Sequence, residues 1–111
     1  SVLVCANSGD SVTVLATATE HDSTGCLLSE LHTPNNESEV ARLRSQGLDI
    51  SDEGYVHQKG PWASHSIAVT RALGHKVLEP LGLTYTPHVS VRPLSKQDHT
   101  VVLASDGVTD R

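Results

Sequence analysis

Three aspartates in this sequence sit where carboxylates could meet a cation. Gly9-Asp10-Ser11 and Ser105-Asp106-Gly107 are short polar turns at the ends of apolar segments, and Asp110 follows four residues after Asp106. The run Val101-Val-Leu-Ala104 leads straight into Ser105-Asp106-Gly107. A strand there delivers a carboxylate at its mouth, and the glycine lets the backbone turn sharply beside it. Carboxylates gathered without a basic partner repel one another. A hard cation between them removes that repulsion, and oxygen ligands suit Mg²⁺ or Mn²⁺. From spacing alone the same residues also read as ordinary Asx turns, which Asp-Gly pairs form readily.

The other chemically able side chains point to less. The seven histidines have no metal-ligand spacing, and His57, His65 and His75 read as loop or solvent-facing residues. Trp62, after Gly60-Pro61, reads as a loop anchor packing on the core. Asp49, Asp52 and Glu53 read as a solvated loop face. Cys5 and Cys26 lie in or near apolar segments without metal or redox spacing. They read as reduced thiols of an intracellular protein, cytoplasmic or nuclear, rather than as a disulfide.

These residues need a frame. The 111 residues suffice for one modest domain or part of a larger one. Hydrophobic residues make up 37% and aromatic ones only 3%, which is lean for an independent core. Eight Lys+Arg against thirteen Asp+Glu give a formal charge of −5, against a nucleic-acid-binding surface. No apolar run approaches the roughly 20 residues of a membrane span. Val2–Ala6 and Val12–Ala18 predict strands, joined by Asn7-Ser-Gly-Asp10 as a β-hairpin. Both alternate residue sets of the first strand are apolar, which predicts a central strand covered on both faces. A helix is expected over Glu37–Gln46, with Asn36 as N-cap and Glu39 in the capping-box position. Val40 and Leu43 form its apolar stripe, and Arg42 and Arg44 face out. Tyr55-Val56 reads as a short strand. Ser66–Leu73 reads as a second short helix or a strand running into one. Pro87–Val91 and Thr100–Ala104 read as strands, with Asp98-His99 as the turn between them. The chain begins and ends without polar tails, and the expectation is an internal portion, residues 1–111, of one longer domain.

Five blocks of the sequence, in order, resemble the metal-dependent protein serine/threonine phosphatases of the PPM family, type 2C. They are Ala6-Asn-Ser-Gly-Asp-Ser11, Leu28-Ser-Glu-Leu-His-Thr-Pro34, Glu39-Val-Ala-Arg-Leu43 through Gly47, Ile67-Ala-Val-Thr-Arg-Ala-Leu-Gly-His75 and Leu103-Ala-Ser-Asp-Gly-Val-Thr-Asp110. Each is moderately specific, and together they span nearly the whole chain. The resemblance implies an α+β fold: a layered antiparallel β-sandwich flanked by helices, of which this chain holds part. It implies hydrolysis of phosphoserine and phosphothreonine in phosphoprotein substrates by a metal-bridged water, with two or three Mg²⁺ or Mn²⁺ ions in the complete domain. The negative charge and the lack of a long apolar run, for their part, lead to the expectation of no nucleic-acid and no membrane partner.

Carried over by position, Asp106 ligates one ion of the central pair, and Asp10, Asp106 and Asp110 form a weaker third metal site. The segment from His32 to Lys59 corresponds to the flap that influences substrate choice, and Arg71 and Gly74 to a structural block. No catalytic residue beyond the metal ligands falls within the chain. The family's Asp-Gly-His-Gly-Gly segment, its phosphate-binding Arg and its late Asp-Asn segment are absent. Within the chain, Val12 stands for the usual Arg, Leu31 and His75 for Asp, and Thr109 for Trp. All three aspartates are retained. The substitutions motivate an alternative: an inactive pseudophosphatase that serves as a protein-binding module.

Overall fold

The structure is a computed structural model that describes residues 1–58 and 66–110. Lys59, Trp62 and His65 lie outside the described residues. The chain divides into two compact units, Ser1–Leu31 with the segment from Pro87 onward, and His32–Thr86.

The first unit is built from β-branched runs, which suit pleated, half-buried surfaces. Strand β1 (Val2–Asn7) pairs antiparallel with β7 (His88–Pro93), from Val2 opposite Pro93 to Asn7 opposite His88. Strand β2 (Val12–Ala18) is the centre of a second sheet, between β3 (Ser23–Leu27) and β8 (Asp98–Ala104). The two sheets are cross-linked. Ser90 Oγ donates to the Leu28 carbonyl at 2.8 Å, and Arg92 Nη1 lies 2.9 Å from Cys26 Sγ.

This pairing corrects three expectations. The two predicted strands β1 and β2 form, but they are not a hairpin. Both edges of β2 are occupied by β3 and β8, so β1 has no edge to join and pairs with β7 instead. Nor is β1 covered on both faces. Val4 is 58% exposed and its partner Val91 63%, while Leu3, Cys5 and Asn7 on the other face are half-buried. Asp98-His99 is not a turn but the start of β8. Asp98 instead braces the preceding turn, accepting from Ser95 N at 2.7 Å and from Thr17 Oγ1 at 2.8 Å.

In the second unit, helix α1 (Glu37–Ser45) precedes the antiparallel strands β4 (Leu48–Ile50), β5 (Val56–Gln58) and β6 (Ser66–Ile67). Leu43, Leu48, Val56, Leu78 and Leu83 are fully buried together. The helix forms where expected, but its capping box does not. The Asn36 side-chain oxygen accepts from Ser38 Oγ at 2.8 Å, and Glu39 turns into the protein. Arg42 also faces inward, contrary to expectation, and only Arg44 of the two is exposed. Residues 68–73 do not form the expected helix. The Thr70 amide donates to the His32 carbonyl and the Ala72 amide to the Thr84 carbonyl. Those partners hold the segment instead, and Arg71 between them forms an isolated parallel bridge with Thr84. A single 3₁₀ turn, Glu79–Leu81, follows. Antiparallel sheets with few, short helices make the architecture α+β, as the sequence indicates. Among the described residues, no helix is long and apolar enough to cross a membrane.

Candidate functional site

The register of β2 against β8 positions the aspartates. Val12 lies opposite Ala104 and Thr13 opposite Leu103. Asp10 precedes the first residue of β2 by two positions and Asp106 follows the last residue of β8 by two, so in the antiparallel pair both flank the same end. Asp106 opens a short helix, α2 (Asp106–Thr109), and the Asp110 amide closes it by donating to the Asp106 carbonyl at 2.8 Å. All three aspartates therefore lie at one end of the β2/β8 pair. Asp10 is half-buried, and Asp106 and Asp110 are exposed. Their donor chemistry fits Mg²⁺ or Mn²⁺, because ionised carboxylates are hard oxygen donors and these cations readily keep waters as their remaining ligands. Among the described residues, no group of three or more His, Cys, Asp or Glu side chains converges as a closed metal site. What this chain offers is an open, partial donor set.

The turn that carries Asp10 crosses from one sheet to the other, and both of its feet are fastened to the same segment. On the β1 side, Asn7 Nδ2 donates to the Glu30 carbonyl at 2.7 Å and to the Gly9 carbonyl at 3.2 Å. On the β2 side, the Thr13 amide donates to Ser29 Oγ at 2.9 Å, and the Leu28 amide donates to the Thr13 carbonyl at 2.8 Å. Ser29 is buried. Between the feet, Gly9 has a φ of 128°, a conformation that a side chain would strain. The Leu28–Glu30 segment is itself held by β7, through Ser90 Oγ on the Leu28 carbonyl and His88 Nε2, 3.5 Å from Glu30 Oε2.

A second polar cluster organises the His32–Thr86 unit. Glu39 is 2% exposed. It accepts from Arg71 Nε at 2.6 Å, Arg71 Nη2 at 3.2 Å, Arg42 Nε at 3.0 Å and Thr70 Oγ1 at 3.2 Å. Burial alone would push this carboxyl up, but the hydrogen bonds from Arg71 and Arg42, aided by their charges, outweigh it and hold the pKa at about 2. The remaining guanidinium donors reach backbone carbonyls: Arg42 those of Gly82 at 2.6 Å and Thr70 at 3.1 Å, Arg71 that of Thr86 at 2.9 Å. An open cleft of about 720 Å³ borders the two arginines, Thr84 and Tyr85. Both arginines are engaged by Glu39 and by backbone carbonyls, which makes the cluster a structural clamp. Sequence reasoning missed it. The Glu39-to-Arg42 spacing of three residues was the available signal.

The remaining candidates stay bland. His57 is not the loop or solvent-facing residue expected but lies in β5, half-buried, with Nδ1 2.7 Å from the Gln58 carbonyl. His75 is exposed on a turn. Asp49 is not merely solvated, since it accepts from the Ile50 amide at 2.8 Å and from Arg44 Nε at 3.3 Å. Cys5 and Cys26 are free thiols, half-buried.

With that geometry in view, a family model described as Protein phosphatase 2C matches residues 1–111. The chain is 32% identical to a "Probable protein phosphatase 2C 48" of Oryza sativa subsp. japonica, over 98% of this chain and 34% of the relative. It is 36% identical to a "Probable protein phosphatase 2C 41" of Arabidopsis thaliana, over 97% of this chain and 33% of the relative. The chain thus spans about a third of the length of these curated relatives. Its fold is similar to that of a serine-threonine phosphatase 2C from Toxoplasma gondii, with a TM-score of 0.83 at 21% identity, covering 98% of this chain and 39% of the other. It is also similar to a C. elegans sex determining protein, with a TM-score of 0.77 at 26% identity, over 98% and 24% of the two chains.

Proposed function

This chain belongs to the protein phosphatase 2C family, and from that premise we propose that it serves metal-dependent hydrolysis of phosphoserine and phosphothreonine in phosphoproteins. The observation that supports the proposal is the antiparallel β2/β8 pair, whose one end is flanked by Asp10 and by Asp106 and Asp110. In this reading residues 1–111 are an internal portion of one phosphatase domain and supply part of its ligand set. Asp106 holds an ion of a central pair, and Asp10, Asp106 and Asp110 share a weaker site. When bound, Mg²⁺ or Mn²⁺ supplies charge neutralisation at phosphoryl oxygens and a water of lowered pKa. The chain's own contribution is to fix carboxylate oxygens at a strand mouth, with Gly107 in the turn beside Asp106.

The test is hydrolysis of a phosphoserine peptide by the full-length protein with Mn²⁺. Asp106→Asn keeps the shape and removes the anionic donor. We expect it to lower the rate at least about tenfold, a typical minimum loss for a disturbed metal site. Full activity in that variant overturns the ligand assignment. A wild-type protein that folds but binds no Mn²⁺ in a calorimetric titration would instead support the protein-binding module, which the substitutions Val12, Leu31, His75 and Thr109 favour.

A further inference from the structure

We propose that Asn7 is a positioning residue for the Asp10 carboxylate, acting through the carbonyls of Gly9 and Glu30, with Ser29 as the second anchor of the same turn. The proposal rests on the assignment of Asp10 to a metal site. Four residues, Ser8 to Ser11, separate Asn7 from β2. A link that short and that rich in small polar residues has many conformations unless its ends are fixed. Here both ends are fixed, and by one segment. Asn7 Nδ2 spends its two hydrogens on two carbonyls, one inside the turn at Gly9 and one outside it at Glu30. The first bond sets the curvature of the turn, and the second sets where the turn begins. Across the turn, Ser29 Oγ accepts from the Thr13 amide. That amide is next to the first residue of β2, so the bond sets where the turn ends. Asp10 lies between these points, three residues from Asn7 and three from Thr13. Its place at the end of the β2/β8 pair that Asp106 also flanks follows from both anchors together with the register of that pair.

The amide is required for a chemical reason. Both of its partners are carbonyl oxygens, so the side chain must donate twice. Aspartate has the same shape and, when ionised, only accepts. Asn7→Asp thus replaces two attractions with two repulsions while leaving the volume unchanged. Ser29→Ala removes the other anchor without touching Asn7. Neither side chain is placed among the metal ligands.

The experiment is a Mn²⁺ titration of the full-length protein, with free ion counted by electron paramagnetic resonance. It compares wild type, Asn7→Asp, Ser29→Ala and Asp10→Asn, alongside metal-free melting of each. Asp10→Asn should abolish the weakest site. Asn7→Asp should weaken that same site about tenfold or more, the usual cost of losing an outer-shell partner of a ligand. The tighter sites should hold their affinity. Ser29→Ala should act in the same direction with a smaller shift. If Asn7→Asp melts as wild type does and binds at the weak site with unchanged affinity, the positioning role is overturned. If it weakens every site in parallel with a fall in Tm, the residue is merely structural and the proposal is also overturned; Ser29→Ala gives a second reading should Asn7→Asp fail to fold. If Asp10→Asn loses no site, the metal assignment itself fails, which is a different result from failure of the anchor alone.

Discussion

Glu39 shows how one side chain can be worth more than its type suggests. A buried carboxylate is costly unless it is paired and hydrogen-bonded, and here four donor atoms from Arg71, Arg42 and Thr70 surround it. Its pKa is lowered from 4.5 to about 2. A depressed folded-state pKa stabilises above the unfolded value and loses that contribution as pH falls through the folded one. The stabilisation is therefore complete above pH 4.5 and is lost between there and about pH 2. A shift of that size corresponds to about 3 kcal/mol. Glu39→Gln should cost about 3 kcal/mol near neutral pH, since it leaves two guanidiniums facing a neutral amide. Urea unfolding of both proteins at several pH values checks this: the difference should shrink as pH falls toward the folded pKa. At this scale the sequence was partly legible. Asp10, Asp106 and Asp110 were marked by strand-end glycines and a block pattern. Glu39 was read as a capping residue, because its partner Arg71 lies 32 residues away and no local period reveals such a pair.

Among the elements, the first helix and the main strands formed where local composition asked for them, while the joins between them and the segment after β6 did not. Asn7 to Asp10 has the composition of a hairpin turn, yet it serves as a crossover between two sheets. The segment after β6 has helical spacing, yet the Thr70 and Ala72 amides bond to the His32 and Thr84 carbonyls and no helix forms there. In both places a long-range hydrogen-bond partner outweighed a local preference worth about 1 kcal/mol or less per residue. The turn after Glu79–Leu81 offers a sharp check. Gly82 has a φ of 129°, and a Cβ there would stand 2.5 Å from Gln46 Oε1. Its carbonyl also receives Arg42. Gly82→Ala should cost about 1–3 kcal/mol in thermal or urea unfolding, from backbone strain. Gln46→Ala in the same background should recover only the part due to the close approach, leaving the φ penalty in place.

For the whole molecule, each unit carries its own buried apolar residues. Leu15 is 1% exposed in the first, and Leu43, Leu48, Val56, Leu78 and Leu83 close the second. Loss of the Glu39 clamp should therefore be felt where its partners are. In amide hydrogen exchange, Glu39→Gln should speed the protected amides of Leu43 and Val56 by on the order of 100-fold, as a loss of about 3 kcal/mol implies. The β2/β8 amides near Leu15 should change far less. Equal acceleration in both units would show that they open as one. The sequence by itself determined the chemistry available: carboxylates at two strand-end turns, two cysteines without a metal spacing, a net negative charge, and β-branched runs that favour strands. It also determined the family, through blocks that survive in order. Only the tertiary structure decided that β2 chooses β8 and not β1, and so that Asp10 and Asp106 flank the same end of one strand pair. Strand propensity belongs to each residue, whereas register belongs to a pair. The residues paired here, such as Val12 with Ala104, are about ninety positions apart, beyond the reach of any local pattern.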